Sequence, residues 1–396
     1  MRIGVDATCW ATRRGYGRFL RALLTATLAI DRENEYTFFI DSKNEEFPLP
    51  THCAEVIRAD CGVPTSKAAG AEGRRSLRDM WSLSRTINRQ NLDLFFFPSV
   101  YSYVPLRRAL PKIVAVHDVI PELYPELVFP TLRSKLYWRA KVKLACAQAK
   151  LILTVSEYSR RCLAKYLSIE PSRLRVVNEA SDPAFRRLEG RYHGDLLGTM
   201  GISSETRFLA YVGGFSPHKN LALLVDVFHE LQLQSQFADL RLLLIGDYER
   251  DVFYSCYKQI AAQVQQAGLQ GKVLFTGYLD DQVLVVLLNL AQALVLPSFC
   301  EGFGLPAIEA AACGAPTVVT TNSPMPELLG RGTIGVEPDD RAGLLTALSW
   351  ILGDPAKQQA MRKAALAAAA RLSWDNSARQ LFDIFEEIGQ SRAATT

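Results

Sequence analysis

The sequence predicts an α/β protein made of two doubly wound, Rossmann-like domains. Short apolar runs alternate with longer helical stretches along the whole chain, and this rhythm occurs twice. Strands separated by helices form parallel sheets covered on both faces, so two such sets imply two domains. Between the sets, residues 181–207 hold Pro183, Gly190, Gly194, Gly198 and Gly201 with mixed charge and no long apolar period, which is the composition of a linker. A chain of 396 residues is long enough for two or three separate cores.

The first set of strands is expected at residues 2–6, 36–40, 94–97, 113–117, 151–155 and 175–177. After the first of them, Arg13-Arg14-Gly15-Tyr16-Gly17-Arg18 leads into a helix that turns Phe19, Leu20, Leu23 and Leu24 inward. The second set is expected at 208–212, 240–245, 273–275, 293–296, 317–319 and 334–336. The Ala-rich run 364–370 is helical by propensity, and an amphipathic helix over 381–388 follows Trp374. The expected division is 1–190 and 191–375. Ligands of open α/β sheets collect at the carboxyl ends of strands, so two facing domains would enclose a cleft there.

Composition narrows the function. No apolar run approaches the roughly 20 residues that span a bilayer, and Arg2 and Asp6 interrupt anything like a leader, so a cytoplasmic protein is expected. Eight scattered cysteines with no Cys-x-x-Cys and no nearby His argue for reduced thiols rather than disulfides or zinc. Residues 1–190 carry 30 Lys and Arg against 20 Asp and Glu, whereas 191–396 carry 15 against 21. The basic residues lack a nucleic-acid module, so nucleic acid is not expected as a partner. They are densest at Arg133, Lys135, Arg139, Lys141 and Lys143, interleaved with Leu132, Leu136, Tyr137, Trp138, Val142 and Leu144. Such a helix either rests on anionic lipid headgroups or simply has one solvated and one core face.

Four motifs carry chemistry. In Glu301-Gly302-Phe303-Gly304-Leu305-Pro306-Ala307-Ile308-Glu309 the glycines sit between a buried strand and a helix that Pro306 can start. The amides and the positive end of the helix dipole attract phosphate, while Glu301 and Glu309, expected in the loop and in the first turn, can accept hydrogen bonds from vicinal hydroxyls. Gly213-Gly214-Phe215-Ser216-Pro217-His218-Lys219 is a second phosphate loop, in which Lys219 supplies a point charge. His117-Asp118 ends a strand, where a His can meet a ligand. The glycines Gly15 and Gly17 let the first loop lie against a sugar or acceptor, with a solvated turn as the alternative.

The Glu-x7-Glu segment, with the small-residue helix and Gly314 that follow, resembles the signature of the retaining glycosyltransferases of family 4, which have the GT-B fold. The likeness runs over nearly the whole chain and extends to the bacterial polysaccharide enzymes, many of them mannosyl- or glucosyltransferases. It implies that Glu301 meets hydroxyls of the donor sugar, Glu309 holds the ribose, and His117 of the His-Asp-x-x-Pro segment bonds the donor sugar. It also implies that Gly302, Phe303, Gly304 and Leu305 present backbone to the donor, and that Tyr278 and Leu279 lie where the base is met. The C-terminal helix at about 376–396 would pack back on the first domain. The phosphate loop departs from the pattern: Lys219 matches, but Gly214 and His218 stand where arginines are usual, so a protonated His218 is a candidate second cation.

The resemblance thus implies a metal-independent, retaining hexosyltransferase that needs no cofactor. Its donor is a nucleoside diphosphate sugar of the GDP-mannose or UDP-glucose type. Its acceptor is a saccharide, lipid-linked, in exopolysaccharide or lipopolysaccharide synthesis at the inner face of the cytoplasmic membrane. A nucleotide-sugar epimerase of the same fold and a non-catalytic sugar-nucleotide-binding component are the rival readings.

Overall fold

The computed structural model describes residues 1–13, 15–41, 47–50, 54–65, 76–189, 198, 201–203, 205–248 and 254–393. The chain divides into two compact units, Met1–Glu179 with Ser373–Thr396, and Ala180–Leu372.

The first unit holds a seven-stranded parallel sheet. Its strands are β1 Arg2–Asp6, β2 Glu35–Ile40, β3 Ala54–Arg58, β4 Leu94–Phe97, β5 Lys112–Ala115, β6 Leu151–Thr154 and β7 Leu174–Val176, in the order β3-β2-β1-β4-β5-β6-β7. The winding reverses between β1 and β4. β4 is buried at every position, as a central parallel strand with both faces covered must be. Each of its Phe side chains contributes about 1.5–3 kcal/mol by leaving water. β3 escaped the sequence reading because Ala54-Glu55-Val56-Ile57-Arg58 lies at the sheet edge with no fully buried position, and so lacks the apolar run of its neighbours.

The second unit holds β8 Phe208–Val212, β9 Arg241–Ile245, β10 Val273–Gly277, β11 Ala293–Leu296, β12 Thr317–Thr320 and β13 Thr333–Val336, all parallel, in the order β10-β9-β8-β11-β12-β13. Here the reversal lies between β8 and β11, so the carboxyl ends of these two strands flank the switch point, where ligands of such sheets bind. Both phosphate-loop motifs leave from those ends.

The first boundary lies after Glu179, ahead of the expected 190. Leu188 N–H donates to Asn289 Oδ1 (2.9 Å) and Asn289 Nδ2 to the Arg186 carbonyl (3.0 Å), which fastens this stretch to the second unit. The expected linker glycines Gly190 and Gly194 lie outside the described residues. The helix Trp374–Ala393 belongs to the first unit and packs on the helix Gly15–Ile30. Arg175 grips Glu387 through Nε (2.9 Å) and Nη2 (2.5 Å), and Ser377 Oγ donates to the Asn178 carbonyl (2.5 Å).

Candidate functional site

In the second unit, the loop after β8 is drawn tight before it reaches Lys219. Gly213 N–H donates to the Ile245 carbonyl (2.9 Å), and the Tyr211 hydroxyl donates to the Gly214 carbonyl (2.5 Å). A Cβ on Gly246 would stand 1.9 Å from the Gly213 carbonyl oxygen, so β8 and β9 can end this close only because residue 246 has no side chain. Pro217–Lys219 then forms a single 3₁₀ turn, and Asn220, in the left-handed region at φ 55°, opens the helix Leu221–Gln232.

The loop after β11 is bound to that turn. Phe299 N–H donates to the His218 carbonyl (2.9 Å), and Asn322, from the segment after β12, accepts from Glu301 N–H (3.0 Å) while its Nδ2 donates to the Phe299 carbonyl (3.1 Å). These contacts deliver Glu301 to Lys219: Lys219 Nζ lies 2.7 Å and Ser298 Oγ 2.6 Å from the same Glu301 Oε1. Both charged side chains are largely buried, Glu301 the more so. Burial alone would raise the Glu301 carboxyl, but the Lys219 ammonium and the hydrogen bonds from Lys219 and Ser298 hold it below the ordinary carboxylate range. The result is an ionised pair at the switch point.

Gly304 follows at φ 93° and caps the helix Leu305–Ala312, with Pro306 in its first turn. Phe303 and Leu305 are buried, so the Gly302–Leu305 stretch offers backbone rather than side chains. Glu309 stands in the second turn instead of the first, and it is 2 % exposed. Burial first, and the Glu309 carboxylate second, push the neighbouring Cys313 thiol up to about 12.

His218 requires a correction. Burial, then the adjacent Lys219 charge, depress it to about 3, so it is neutral across the physiological range and cannot stand in for an arginine. Lys219 therefore carries the positive charge of this turn. After β10, Tyr278 is half-exposed and Leu279 partly buried, while Asp280 accepts from Val283 N–H (3.0 Å) as the cap of the helix Asp281–Leu290. Among the described residues no three His, Cys, Asp or Glu side chains gather as metal ligands.

In the first unit, His117 lies two residues beyond β5. Its Nε2 is 2.9 Å from the Pro98 carbonyl at the end of β4, its Nδ1 is 3.5 Å from Glu179 Oε1, and Phe19 meets the ring edge-on at 4.8 Å. Gly15 and Gly17 open the helix Gly15–Ile30 instead of lying in the loop before it. A Cβ on Gly17 would fall 2.3 Å from the Thr12 carbonyl oxygen, so Gly17 serves the packing of this helix on the preceding loop, whereas Gly15 faces open space. Arg14 lies outside the described residues. Ser156 caps the helix Glu157–Tyr166 by accepting from Ser159 N–H (3.0 Å).

Sequence reading missed Ser298, Asn322, Gly246 and Glu179. Ser298 sits three residues before Glu301 in the same loop and could have been found. The other three come from separate strand ends, and only the fold brings them in.

Two parallel α/β units with phosphate-type loops at a switch point define a GT-B architecture. The solved structure of sucrose-phosphate synthase from Thermosynechococcus elongatus shares this fold (TM-score 0.77, 18% identity, 99% of this chain and 100% of that one). So does Anabaena Alr3699/HepE in complex with UDP and glucose (TM-score 0.73, 19% identity, 98% and 100%). In sequence, residues 15–185 match the model described as Glycosyltransferase Family 4, and residues 199–367 match Glycosyl transferases group 1. The chain is 26% identical over 312 residues to the O-antigen chain mannosyltransferase B of Escherichia coli, covering 78% of this chain and 77% of that protein. It spans 34% of the longer serotype-specific mannosyltransferase WbdA of the same organism, with 27% identity over 288 residues. The chain belongs to the family 4 glycosyltransferases of the GT-B fold.

Proposed function

We propose that this protein is a retaining, metal-independent hexosyltransferase of surface-polysaccharide synthesis, moving a hexose from a nucleoside diphosphate sugar to a saccharide hydroxyl. The observation that carries the reading is the Lys219–Glu301 pair beside the Gly304-capped helix start at the switch point. Lys219 and the amides of residues 302–305 oppose the charge that grows on the leaving diphosphate, and such preorganised electrostatics are worth about 10²–10³ in rate per group. Glu301, held ionised, accepts hydrogen bonds from donor-sugar hydroxyls, and buried Glu309 accepts them from ribose. His117 is assigned to the donor sugar. A departing phosphate oxygen that takes the acceptor's proton on the same face makes a protein base unnecessary.

The mannosyltransferase likeness favours a GDP-mannose type donor, and the UDP complex of the Anabaena protein favours a uridine donor. A thermal-shift series with UDP, GDP and ADP identifies the base, because a ligand that binds only the folded state raises the melting temperature with its concentration. Transfer from the matching sugar nucleotide to a saccharide acceptor, with the anomeric configuration of donor and product compared by NMR, tests the reaction. Inversion would end the retaining reading. Conversion of donor without acceptor would support an epimerase, and binding without turnover a non-catalytic component.

The acceptor is proposed to be lipid-linked and reached at an anionic membrane surface. The helix Leu132–Gln148 does not divide into a polar outer and an apolar inner face: Leu132 is 70 % exposed, and Leu136, Tyr137 and Leu144 are exposed beside Arg133, Arg139 and Lys143. The neighbouring helix Leu77–Asn88 adds exposed Leu77 and Trp81, and the Tyr137 hydroxyl reaches Met80 Sδ at 3.5 Å. Lys141 is partly buried and bonds the Tyr101 carbonyl, so it is withdrawn from the expected lipid-facing set. No helix among the described residues is long and apolar enough to cross a membrane. Each cation near an anionic surface contributes about 1 kcal/mol. The protein is therefore expected to sediment with phosphatidylserine-containing vesicles at low salt, less so as salt rises, and Arg133→Glu, Arg139→Glu, Lys143→Glu together should abolish sedimentation. A wild-type protein that stays in the supernatant at low salt would sink this part of the proposal.

A further inference from the structure

The contacts of His117 leave Glu179 with a task that the proposed reaction does not yet assign. A carbonyl oxygen only accepts, so the 2.9 Å contact with Pro98 puts a proton on Nε2. The other nitrogen, Nδ1, faces the Glu179 carboxyl at 3.5 Å, and Glu179 is 5 % exposed. With Nδ1 unprotonated, a lone pair would be held against a buried carboxylate. A proton on Nδ1 turns that repulsion into a charge-assisted contact. We infer that Glu179 is a positioning residue that holds His117 as a doubly protonated imidazolium with a fixed ring plane, so that His117 serves the reaction as a cation and never as a base. This rests on the reading above that His117 acts on the donor sugar.

The surroundings agree. Two charged groups act on the ring, Glu179, next after Asn178 in the stretch that leaves β7, and Asp118, on the ring's own segment, and among the described residues these leading charges are both anionic. The helix Gly15–Ile30 contributes the edge of Phe19, which Trp374 of the C-terminal helix touches in turn at 6.2 Å, and the end of β4 contributes the Pro98 carbonyl. Burial works to lower the imidazole, but the Glu179 hydrogen bond and charge, with the Pro98 carbonyl and the Asp118 charge, together outweigh it and raise it above the ordinary His value. The charge is therefore present below that raised midpoint and is lost as pH rises through it.

The test is a titration of the full-length protein labelled with ¹⁵N in its five His rings, with His117→Asn used for assignment. His117 should titrate above 6.5 in the wild type. In Glu179→Gln the midpoint should fall by about 1–3 pH units, and Glu179→Asp should restore most of it. The alkaline limb of kcat/KM should move with it. A wild-type midpoint below 6.5, or one unmoved by Glu179→Gln, overturns the inference, and the wild-type measurement stands even where a variant does not fold. A midpoint that falls while the kcat/KM profile stays put supports Glu179 as the residue that sets the charge. The same result removes His117 from the reaction, so the two failures are told apart.

Discussion

Lys219→Met is expected to reduce transfer by about 10²–10³-fold and to weaken donor binding together with turnover, since it removes the one cation of the β8 turn. His218→Ala at pH 8 should cost far less, because His218 is already neutral there. Calorimetry with the full donor and steady-state rates across pH separate the two. A larger loss from His218→Ala would mean that the charge sits on the wrong residue. Stability gives a second readout. In the wild type the Glu301 carboxyl is depressed, so its contribution to stability is present above the unfolded-state carboxylate value and lost as pH falls through the lower folded one. Without the ammonium, burial is left to raise that carboxyl, and acid unfolding should begin at higher pH. Adding Glu301→Gln to Lys219→Met should recover the acid stability and none of the activity, because a neutral amide tolerates burial beside Ser298 while the ammonium that opposes the diphosphate charge is still missing.

The parallel sheets were readable because buried parallel strands are short apolar runs, as at 94–97 and 293–296, and because glycines and prolines punctuate them. β3 was not readable, since a half-exposed edge strand has neither the run nor a clean alternation. The Glu301 and Lys219 motifs were visible as local patterns, yet their pairing was not. It depends on Phe299 bonding the His218 carbonyl across 81 residues of chain, which only the β8–β11 adjacency produces. The charge of His218 failed for a related reason: sequence shows an imidazole beside a lysine but says nothing about how deeply it is buried. Glu179 lacked any motif, because a lone carboxylate after a strand acquires meaning only from what the neighbouring strand ends bring to it.

The two carboxylates of the Glu-x7-Glu segment should fail in different ways. Glu309 is 2 % exposed, in the second turn of the helix Leu305–Ala312, and its proposed ribose contact serves the nucleotide whether or not a sugar is attached. Hydrogen bonds to a charged group are worth about 1.5–3 kcal/mol, so Glu309→Gln should weaken nucleoside diphosphate binding by about 10- to 100-fold and donor binding by a similar factor. Glu301 contacts only the sugar on this assignment. Glu301→Gln should therefore leave the diphosphate affinity within a few-fold of wild type while lowering turnover by about 10²-fold, because it loses an acceptor aimed at the reacting sugar and the partner that fixes Lys219. Calorimetry with the free diphosphate and with the full donor, paired with transfer rates, distinguishes the two patterns. If both variants bind and turn over like the wild type, neither carboxylate touches the donor and the assignment of this loop is wrong. If the diphosphate defect instead follows Glu301, the two roles are exchanged and the ribose lies against the Lys219 pair.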